Sequence, residues 1–180
     1  AQVVTYDAVS SSAMLEANER DFGMAMVPDF HFDKADVIVG IDADFLGTWI
    51  SPTEYAAKYI KNRKIEDLES PKMSRHIQVE THMSLTGSNA DNRILVKPSQ
   101  MGATVVALYN AVAAQTGGTR VIGPSLPAEK VAKFEKVAAE LVAAKGKSLV
   151  VCGTNNIGEQ TLVNAINHLL GNYGNTLDFA

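Results

Sequence analysis

The chain has 180 residues, 46% of them hydrophobic and 20% charged, a globular composition that excludes a disordered chain. Its net charge of -4 argues against a nucleic-acid partner, because nucleic-acid-binding domains normally carry a basic face. No apolar run is long enough to span a membrane directly, and a single cysteine builds neither an internal disulfide nor an iron–sulfur cluster from this chain alone.

The first predicted elements alternate between strand and helix. Residues 3–6 predict a strand, and residues 12–22 predict a helix that ends at Gly23. Residues 37–41 form a second and clearer strand. These residues are apolar on consecutive positions, which is typical of a strand buried on both faces of a parallel sheet.

A capping pattern marks the start of the second helix. Ser51 is a suitable cap, Pro52 suits the first helical position, and Glu54 completes a capping box. The polar segment that follows the helix, residues 62–74, is predicted to be a surface loop. The apolar face predicted for this helix consists of Tyr55, Tyr59 and Ile60.

The rest of the chain continues the alternation. The other predicted strands are residues 77–80, 94–96 and 148–152, and the other predicted helices are residues 102–116, 127–145 and 157–170. Alternating strands and helices favour an α/β fold that is three-layered, doubly wound and Rossmann-like, with helices on both faces of a mainly parallel sheet. No linker divides the chain, so we expect one domain over residues 1–180.

Ligands of such sheets bind beyond the carboxyl ends of the strands, so the segments after the strands are the candidate sites. After the second strand, Asp42 and Asp44 could accept hydrogen bonds from a ribose or a guanine edge. The competing interpretation is that Asp42 caps a turn and that Trp49 fills the edge of the core.

The next strand is followed by residues 80–91, which gather small hydroxyls and amides around Gly87. This composition suits a polar ligand bound through uncharged donors, and the alternative is a polar turn. His82 has no second ligand at helical or short spacing, so no metal site is predicted here.

The last strand leads into residues 153–158, a glycine-containing turn at a predicted helix N-terminus. Such a turn can hold an anion, although it matches neither a dinucleotide fingerprint nor a P-loop. In the alternative interpretation it is a tight turn in which Thr154 or Asn155 caps the helix. Cys152 ends an apolar strand without a neighbouring base, so we predict a buried side chain and no catalytic residue in this chain.

Four segments, read in order, resemble one protein family. They are residues 37–52 (VIVGIDADFLGTWISP), 78–91 (QVETHMSLTGSNAD), 97–103 (KPSQMGA) and 167–174 (NHLLGNYG). Together they are similar to the molybdopterin oxidoreductases, in which an α/β domain of this type holds part of a molybdopterin guanine dinucleotide. The resemblance covers nearly the whole chain, but only one domain of a much larger catalytic subunit.

The resemblance also shows where this sequence departs from the family. Thr81 and His82 stand where the family has Pro-Arg, so the guanidinium expected at the diphosphate is missing. Met101 stands where the family has a carboxylate expected to recognise guanine. These departures imply that the dinucleotide is not bound. The positions that the resemblance assigns to the degenerate cofactor site are Asp42, Asp44, Thr48, Glu80, His82, Thr86, Ser99 and Gln100.

This combination resembles the cofactor-free iron–sulfur subunit of alternative complex III, a quinol:electron-acceptor oxidoreductase. The resemblance implies a structural domain without a cofactor of its own, iron–sulfur clusters elsewhere in the parent subunit, and a position on the periplasmic side of the bacterial inner membrane. The implied partners are other domains of the parent subunit and the membrane and cytochrome subunits of the complex. Two alternatives stay open: a dinucleotide-binding domain of an active molybdenum enzyme, and a free-standing nucleotide-binding module.

Overall fold

The structure, a computed structural model, describes residues 2–4, 7 and 9–179. The chain alternates between helices and strands over most of this length, as the sequence predicts. In chain order the elements are α1 (Ser12–Phe22), β1 (Asp29–Phe30), β2 (Val37–Ile41), α2 (Pro52–Lys61), β3 (Arg75–Glu80), α3 (Leu85–Ser88), β4 (Asn92–Leu95), α4 (Met101–Thr116), α5 (Ala128–Ala143), β5 (Ser148–Cys152), α6 (Ile157–Leu169) and β6 (Leu177–Asp178).

Four of the strands form one parallel sheet in the order β4-β3-β2-β5. Val39 at the centre of β2 is opposite Ile77 on one side and Val150 on the other. The chain therefore winds from β2 through β3 to β4 in one direction and then crosses back to place β5 beside β2. The strand order reverses between β2 and β5, which is where open α/β sheets form their ligand crevice.

Helices flank this sheet and enclose two hydrophobic clusters. Successive side chains of a strand point to opposite faces, so Val37, Val39 and Ile41 of β2 face α4, α5 and α6, while Ile38 faces a cluster rich in aromatic rings. Phe32 and Phe45 stack at the centre of that second cluster, with ring centroids 4.3 Å apart. This double coverage explains why β2 is apolar along its length. Among the described helices, none combines the length and apolar character that crossing a membrane requires.

Side chains close the outer edge of β5. The Asn167 side chain donates to the carbonyl oxygen of Val150 at 2.8 Å and accepts from the amide of Val150 at 3.1 Å, as a neighbouring strand would. Gln160 donates to the carbonyl oxygen of Cys152 at 3.0 Å. A buried edge strand must satisfy its backbone groups, and here α6 supplies the partners.

Replacing Asn167 by alanine is expected to lower the free energy of unfolding by about 3 kcal/mol, because two buried backbone groups of Val150 lose their partners. Urea unfolding monitored by circular dichroism measures the loss. His168→Ala, an exposed change on the same helix, is the matched control and should cost less than about 0.5 kcal/mol. Equal stability losses for the two variants would contradict the proposed role of Asn167.

The structure departs from the sequence-based prediction in two places along the chain. Val3 and Val4 lie outside any strand and are exposed, while Thr5 and Tyr6, the rest of that predicted strand, lie outside the described residues. The two-residue strands β1 and β6, which pair antiparallel, were not predicted because two residues carry no periodic pattern. The polar connection over residues 62–74 is mostly exposed, as predicted.

The start of α2 is at the predicted residue, but its capping differs. The Ser51 side chain makes no capping hydrogen bond, and Glu54 instead pairs with Lys58 at 2.6 Å. Ile60, predicted on the apolar face, is 56% exposed. Tyr55 and Tyr59, one turn apart, are buried and form that face without it.

Candidate ligand site at the carboxyl edge of the sheet

The backbones at the ends of β2 and β5 touch at the switch between the two halves of the sheet. The Gly153 amide donates to the carbonyl oxygen of Ile41 at 2.8 Å, and the Asp42 amide donates to that of Val79 at 2.8 Å. A Cβ on Gly153 would lie 2.1 Å from the carbonyl oxygen of Asp42, so only glycine allows this approach. Asp42 has a φ of 50°, an uncommon conformation for a residue with a side chain.

Asp44 and Thr86 hold the loop after β2 against α3. Asp44 Oδ1 accepts from the Thr86 amide at 3.0 Å and from the Thr86 hydroxyl at 2.8 Å. The same hydroxyl accepts from the amide of Leu46 at 2.9 Å, and Thr48 donates to Asp44 Oδ2 at 3.4 Å. The structure therefore brings Asp44, Thr48 and Thr86 together. Their hydrogen bonds are made to one another and fix the loop after β2 to α3.

Glu80 is buried at the end of β3, with 1% of its surface exposed. Its Oε1 is paired with the Arg93 guanidinium, and its Oε2 accepts from the Ser84 hydroxyl at 2.6 Å. Gly87 packs so closely that a Cβ there would lie 1.9 Å from Glu80 Oε1. Both carboxylate oxygens are therefore engaged by the protein, and Gly87 packs closely against them.

The remaining predicted site residues lie apart from these two groups. His82 is exposed after β3, with Nδ1 3.3 Å from the Thr81 hydroxyl, and Ser99 is exposed in the turn before α4. Gln100 accepts from the Lys130 ammonium at 2.8 Å. Met101 is buried in the core under α4, so its position presents no group to the crevice.

The connection from β5 to α6 leads to Glu159, a carboxylate that the sequence analysis missed. Glu159 lies in the first turn of α6 and its Oε2 is buried, without a hydrogen-bond partner in the described part of the chain. Asn156 caps α6 by accepting from the Glu159 amide at 3.2 Å, so the prediction of Thr154 or Asn155 as the cap is wrong. Asn155 instead accepts from the amide of Ala13 at 2.9 Å.

Cys152 has the environment of a structural side chain. It is fully buried at the end of β5, and this burial raises the pKa of its thiol to about 11. Its sulfur lies 3.1 Å from the Thr154 hydroxyl. A thiol with a raised pKa and no adjacent base is a poor nucleophile, in keeping with the sequence-based prediction of a buried apolar role.

The charges at this edge fit a diphosphate poorly. Asp42, Asp44, Glu80 and Glu159 place four carboxylates at or just beyond the strand ends. Among nearby cations in the described residues, Arg93 is paired with Glu80 and Lys130 is hydrogen-bonded to Gln100, whereas Lys97, just after β4, is exposed. One exposed lysine among these carboxylates, with no arginine free to pair with phosphate among the described residues near this edge, is a poor fit for the diphosphate of a dinucleotide.

A second charged cluster lies on the β1–β6 pair. Asp29 and Asp178 are opposite each other in the register, and His31 Nε2 lies 3.0 Å from Asp178 Oδ2. One ligand atom from each of the three residues lies within 4.8 Å of the others, so they have the spacing to hold a metal ion. Lys58 already pairs with Asp29, and the cluster was invisible in the sequence because it joins two distant segments.

A buried polar network lies beneath the loop after β2. His76 Nδ1 is 3.0 Å from the Tyr59 hydroxyl, and His76 Nε2 is 3.3 Å from Gln78 Oε1. Gln78 in turn donates to the carbonyl oxygen of Ala43 at 3.1 Å. Burial lowers the pKa of His76 to about 4, so the ring is neutral in the folded chain near pH 7.

The pKa of His76 predicts acid sensitivity. Between pH 6.5 and pH 4 the unfolded chain binds a proton at this residue that the folded chain does not, so stability falls as the pH is lowered through that window. The full effect is on the order of 3 kcal/mol. Urea unfolding at a series of pH values should show this slope in the wild type and in His168→Gln, and a flatter slope in His76→Gln. An unchanged slope in His76→Gln would contradict the prediction.

Comparison with protein-family models gives no match to this chain, and no curated protein matches it. The four sequence motifs therefore stand as a resemblance, and the functional argument depends on the geometry of the carboxyl edge. That geometry consists of two internally satisfied carboxylates, Asp44 and Glu80, and a close backbone contact at Gly153.

Proposed function

We propose that the chain is a structural domain of a respiratory electron-transfer subunit of the molybdopterin oxidoreductase type, within a quinol:electron-acceptor oxidoreductase complex. In this proposal the domain keeps the architecture of a dinucleotide-binding domain and has lost the dinucleotide. The domain is not catalytic, and it supports neighbouring parts of the subunit. The observation that carries the proposal is the complete engagement of the Glu80 carboxylate by Arg93 and Ser84.

Glu80 matters because it lies in the segment that resembles the cofactor-binding part of the family. A carboxylate that receives a ligand must keep a lone pair directed at the crevice. Here one oxygen faces the Arg93 guanidinium, the other accepts from Ser84, and Gly87 packs against both. A ligand would have to break this buried pair, and removing one partner of such a pair costs about 3–5 kcal/mol.

The proposed fold is the doubly wound, three-layer arrangement. Its support is the strand order β4-β3-β2-β5, with the direction of winding changing beside β2. Packing on the two sheet faces is also consistent with it: α4, α5 and α6 contribute to one cluster, and Met14 of α1 with Tyr55 and Tyr59 of α2 contributes to the other.

The proposed context follows from the resemblance. The chain has one cysteine, which is buried, so the iron–sulfur clusters of the parent would be bound elsewhere in the subunit. The proposed partners are other domains of that subunit and the membrane and cytochrome subunits, on the periplasmic side of the inner membrane. This chain would then contribute shape and surface to the complex.

A second candidate function is favoured by one observation at the switch between the sheet halves. Asp42 and Ile50, which flank the loop after β2, both have positive φ values, 50° and 54°. Such conformations concentrate at ligand sites, and for the β-branched Ile50 the conformation is costly. The second candidate is a domain that binds guanine dinucleotide through this loop in an active molybdenum enzyme.

A titration separates the two candidates. Guanosine diphosphate is added to the purified chain in a calorimeter, with a known guanine-nucleotide-binding protein as the positive control. The structural-domain proposal predicts no saturable heat. Saturable binding that Asp42→Asn abolishes would overturn it in favour of the second candidate. Saturable binding that Asp42→Asn leaves unchanged would contradict both candidate functions, because the nucleotide would then bind without the loop after β2.

A further inference from the structure

A cavity of about 470 Å³ opens between α4, α5 and the segment that joins them. Residues 117–127, here called the connecting segment, run back along α4 between the two helices. The Lys130 side chain at the start of α5 reaches Gln100 beside the start of α4, so the two helices run in parallel and the segment spans their length. The cavity lies away from the carboxyl edge discussed above.

The connecting segment is fixed in place by hydrogen bonds to α4. Asn110 Nδ2 donates to the carbonyl oxygen of Val121 at 3.0 Å, and Asn110 Oδ1 accepts from the amide of Val121 at 2.8 Å. The Tyr109 hydroxyl donates to the carbonyl oxygen of Thr119 at 2.9 Å. Gly123 packs on Val106, where a Cβ would lie 3.0 Å from a methyl carbon.

This attachment turns one apolar side chain outwards. Ile122, next to the doubly bonded Val121, is fully exposed although it also lines the cavity. A β-branched side chain held in water on an ordered segment has an apolar surface that no described residue covers. The Ile122 side chain therefore projects into solvent directly beside the cavity.

Unpaired charges lie on the same surface. Arg120 and Glu135 both line the cavity, and within the described part of the chain neither side chain has a hydrogen-bond or ion-pair partner. The contrast is clear for arginine, since the other four are each paired with a carboxylate. Those four are Arg20, Arg63, Arg75 and Arg93.

We propose that this surface binds a second copy of the chain. In a two-fold dimer, Ile122 of each copy enters the cavity of the other, and Arg120 of each copy faces Glu135 of the other. A two-fold axis makes every contact twice and requires that one surface carry both members of each contact. The α4–α5 surface meets this requirement because it carries Ile122 together with the cavity, and Arg120 together with Glu135.

A second copy explains the surface better than a small apolar ligand does. A ligand that fills the cavity would contact Ile122 on one side only, leaving its outward surface in water and the two charges unpaired. A second copy covers Ile122 and pairs both charges. The proposed contact consists of one apolar side chain and one charge pair from each copy, so we expect a weak dimer with a dissociation constant on the order of micromolar.

Analytical ultracentrifugation of the purified 180-residue chain, from low micromolar to near millimolar concentration, tests the proposal. We expect a reversible monomer–dimer equilibrium. Ile122→Glu should weaken dimerisation at least about tenfold, because it buries a charge in the cavity. Leu68→Glu, which alters an exposed apolar side chain elsewhere, is the matched control and should leave the equilibrium unchanged.

The charge pair is tested by exchange. Arg120→Glu and Glu135→Arg should each weaken the dimer by about fivefold, and the double variant should restore it. A chain that stays monomeric at every concentration would overturn the proposal. A dimer insensitive to Ile122→Glu, or a charge exchange without restoration, would also overturn it. Circular dichroism checks that each variant is folded, and none of these outcomes bears on the proposed loss of the dinucleotide.

Discussion

Arg93→Met is expected to lower the free energy of unfolding by about 4 kcal/mol, since it leaves the Glu80 carboxylate buried without its cation. Glu80 is only 1% exposed with Arg93 in place, and the methionine side chain covers it without supplying a charge or a donor. Urea unfolding at neutral pH measures the change. A loss below about 1 kcal/mol would show that the pair is not the buried interaction described here.

Two further variants isolate the role of the charge. Arg75→Met removes the partner of Glu140 in an ion pair whose side chains are 41% and 39% exposed, so its cost should stay below about 1 kcal/mol. Glu80→Gln combined with Arg93→Met removes the stranded charge and should recover roughly half of the loss. A double variant no more stable than Arg93→Met alone would mean that lost packing, rather than the unpaired carboxylate, causes the destabilisation.

Gly153→Ala should cost about 3 kcal/mol or more, because the new Cβ would meet backbone atoms that cannot move aside independently. It would lie 2.1 Å from the carbonyl oxygen of Asp42 and 2.9 Å from the Cα of Ala43. Relief would require the ends of β2 and β5 to separate, which breaks the hydrogen bond from Gly153 to Ile41. Thermal and urea unfolding measure the effect.

The control for this variant is five residues along the chain. A Cβ on Gly158 would have its nearest neighbour, Asn156 Oδ1, at 3.4 Å, and the residue lies in the first turn of α6. Gly158→Ala should therefore be neutral or stabilising by up to about 1 kcal/mol. If Gly153→Ala proved as stable as Gly158→Ala, the close contact between the two strand ends would be refuted.

The sequence allowed the parallel sheet to be predicted because two of its strands, β2 and β5, have an unusual pattern. Residues 37–41 and 149–152 contain no polar side chain, and in the structure every residue of β2 and β5 is buried. Helix α5 was equally predictable, because Phe134, Val137 and Leu141 repeat at helical spacing and face the core. Such elements are predictable because each carries a signal within its own residues, an unbroken apolar run for the strands and helical spacing for α5.

The candidate site could be located from sequence, but its contacts could not be. The carboxyl ends of parallel strands share one edge, so Asp44, Glu80 and Thr86 were expected near one another. Their partners depend on strand order. Arg93 reaches Glu80 because β4 is next to β3, and Thr86 reaches Asp44 because α3 lies beside the loop after β2.

Other features were missed because they arise only when distant segments meet. The Asp29, His31 and Asp178 cluster needs the pairing of β1 with β6, which no local pattern encodes. The exposure of Ile60 depends on how α2 rotates against the aromatic cluster. In that cluster Tyr55 and Tyr59 occupy the available surface.

The proposed loss of the dinucleotide can be tested on the whole protein purified from the cells that make it. The protein is denatured, the released guanine nucleotide is quantified by chromatography, and molybdenum is quantified by elemental mass spectrometry. If Asp44 and Glu80 are internal anchors, as their contacts indicate, both quantities should be far below one equivalent per chain. Near-stoichiometric guanine nucleotide together with molybdenum would show that the carboxyl edge holds the cofactor and that the structural-domain proposal is wrong.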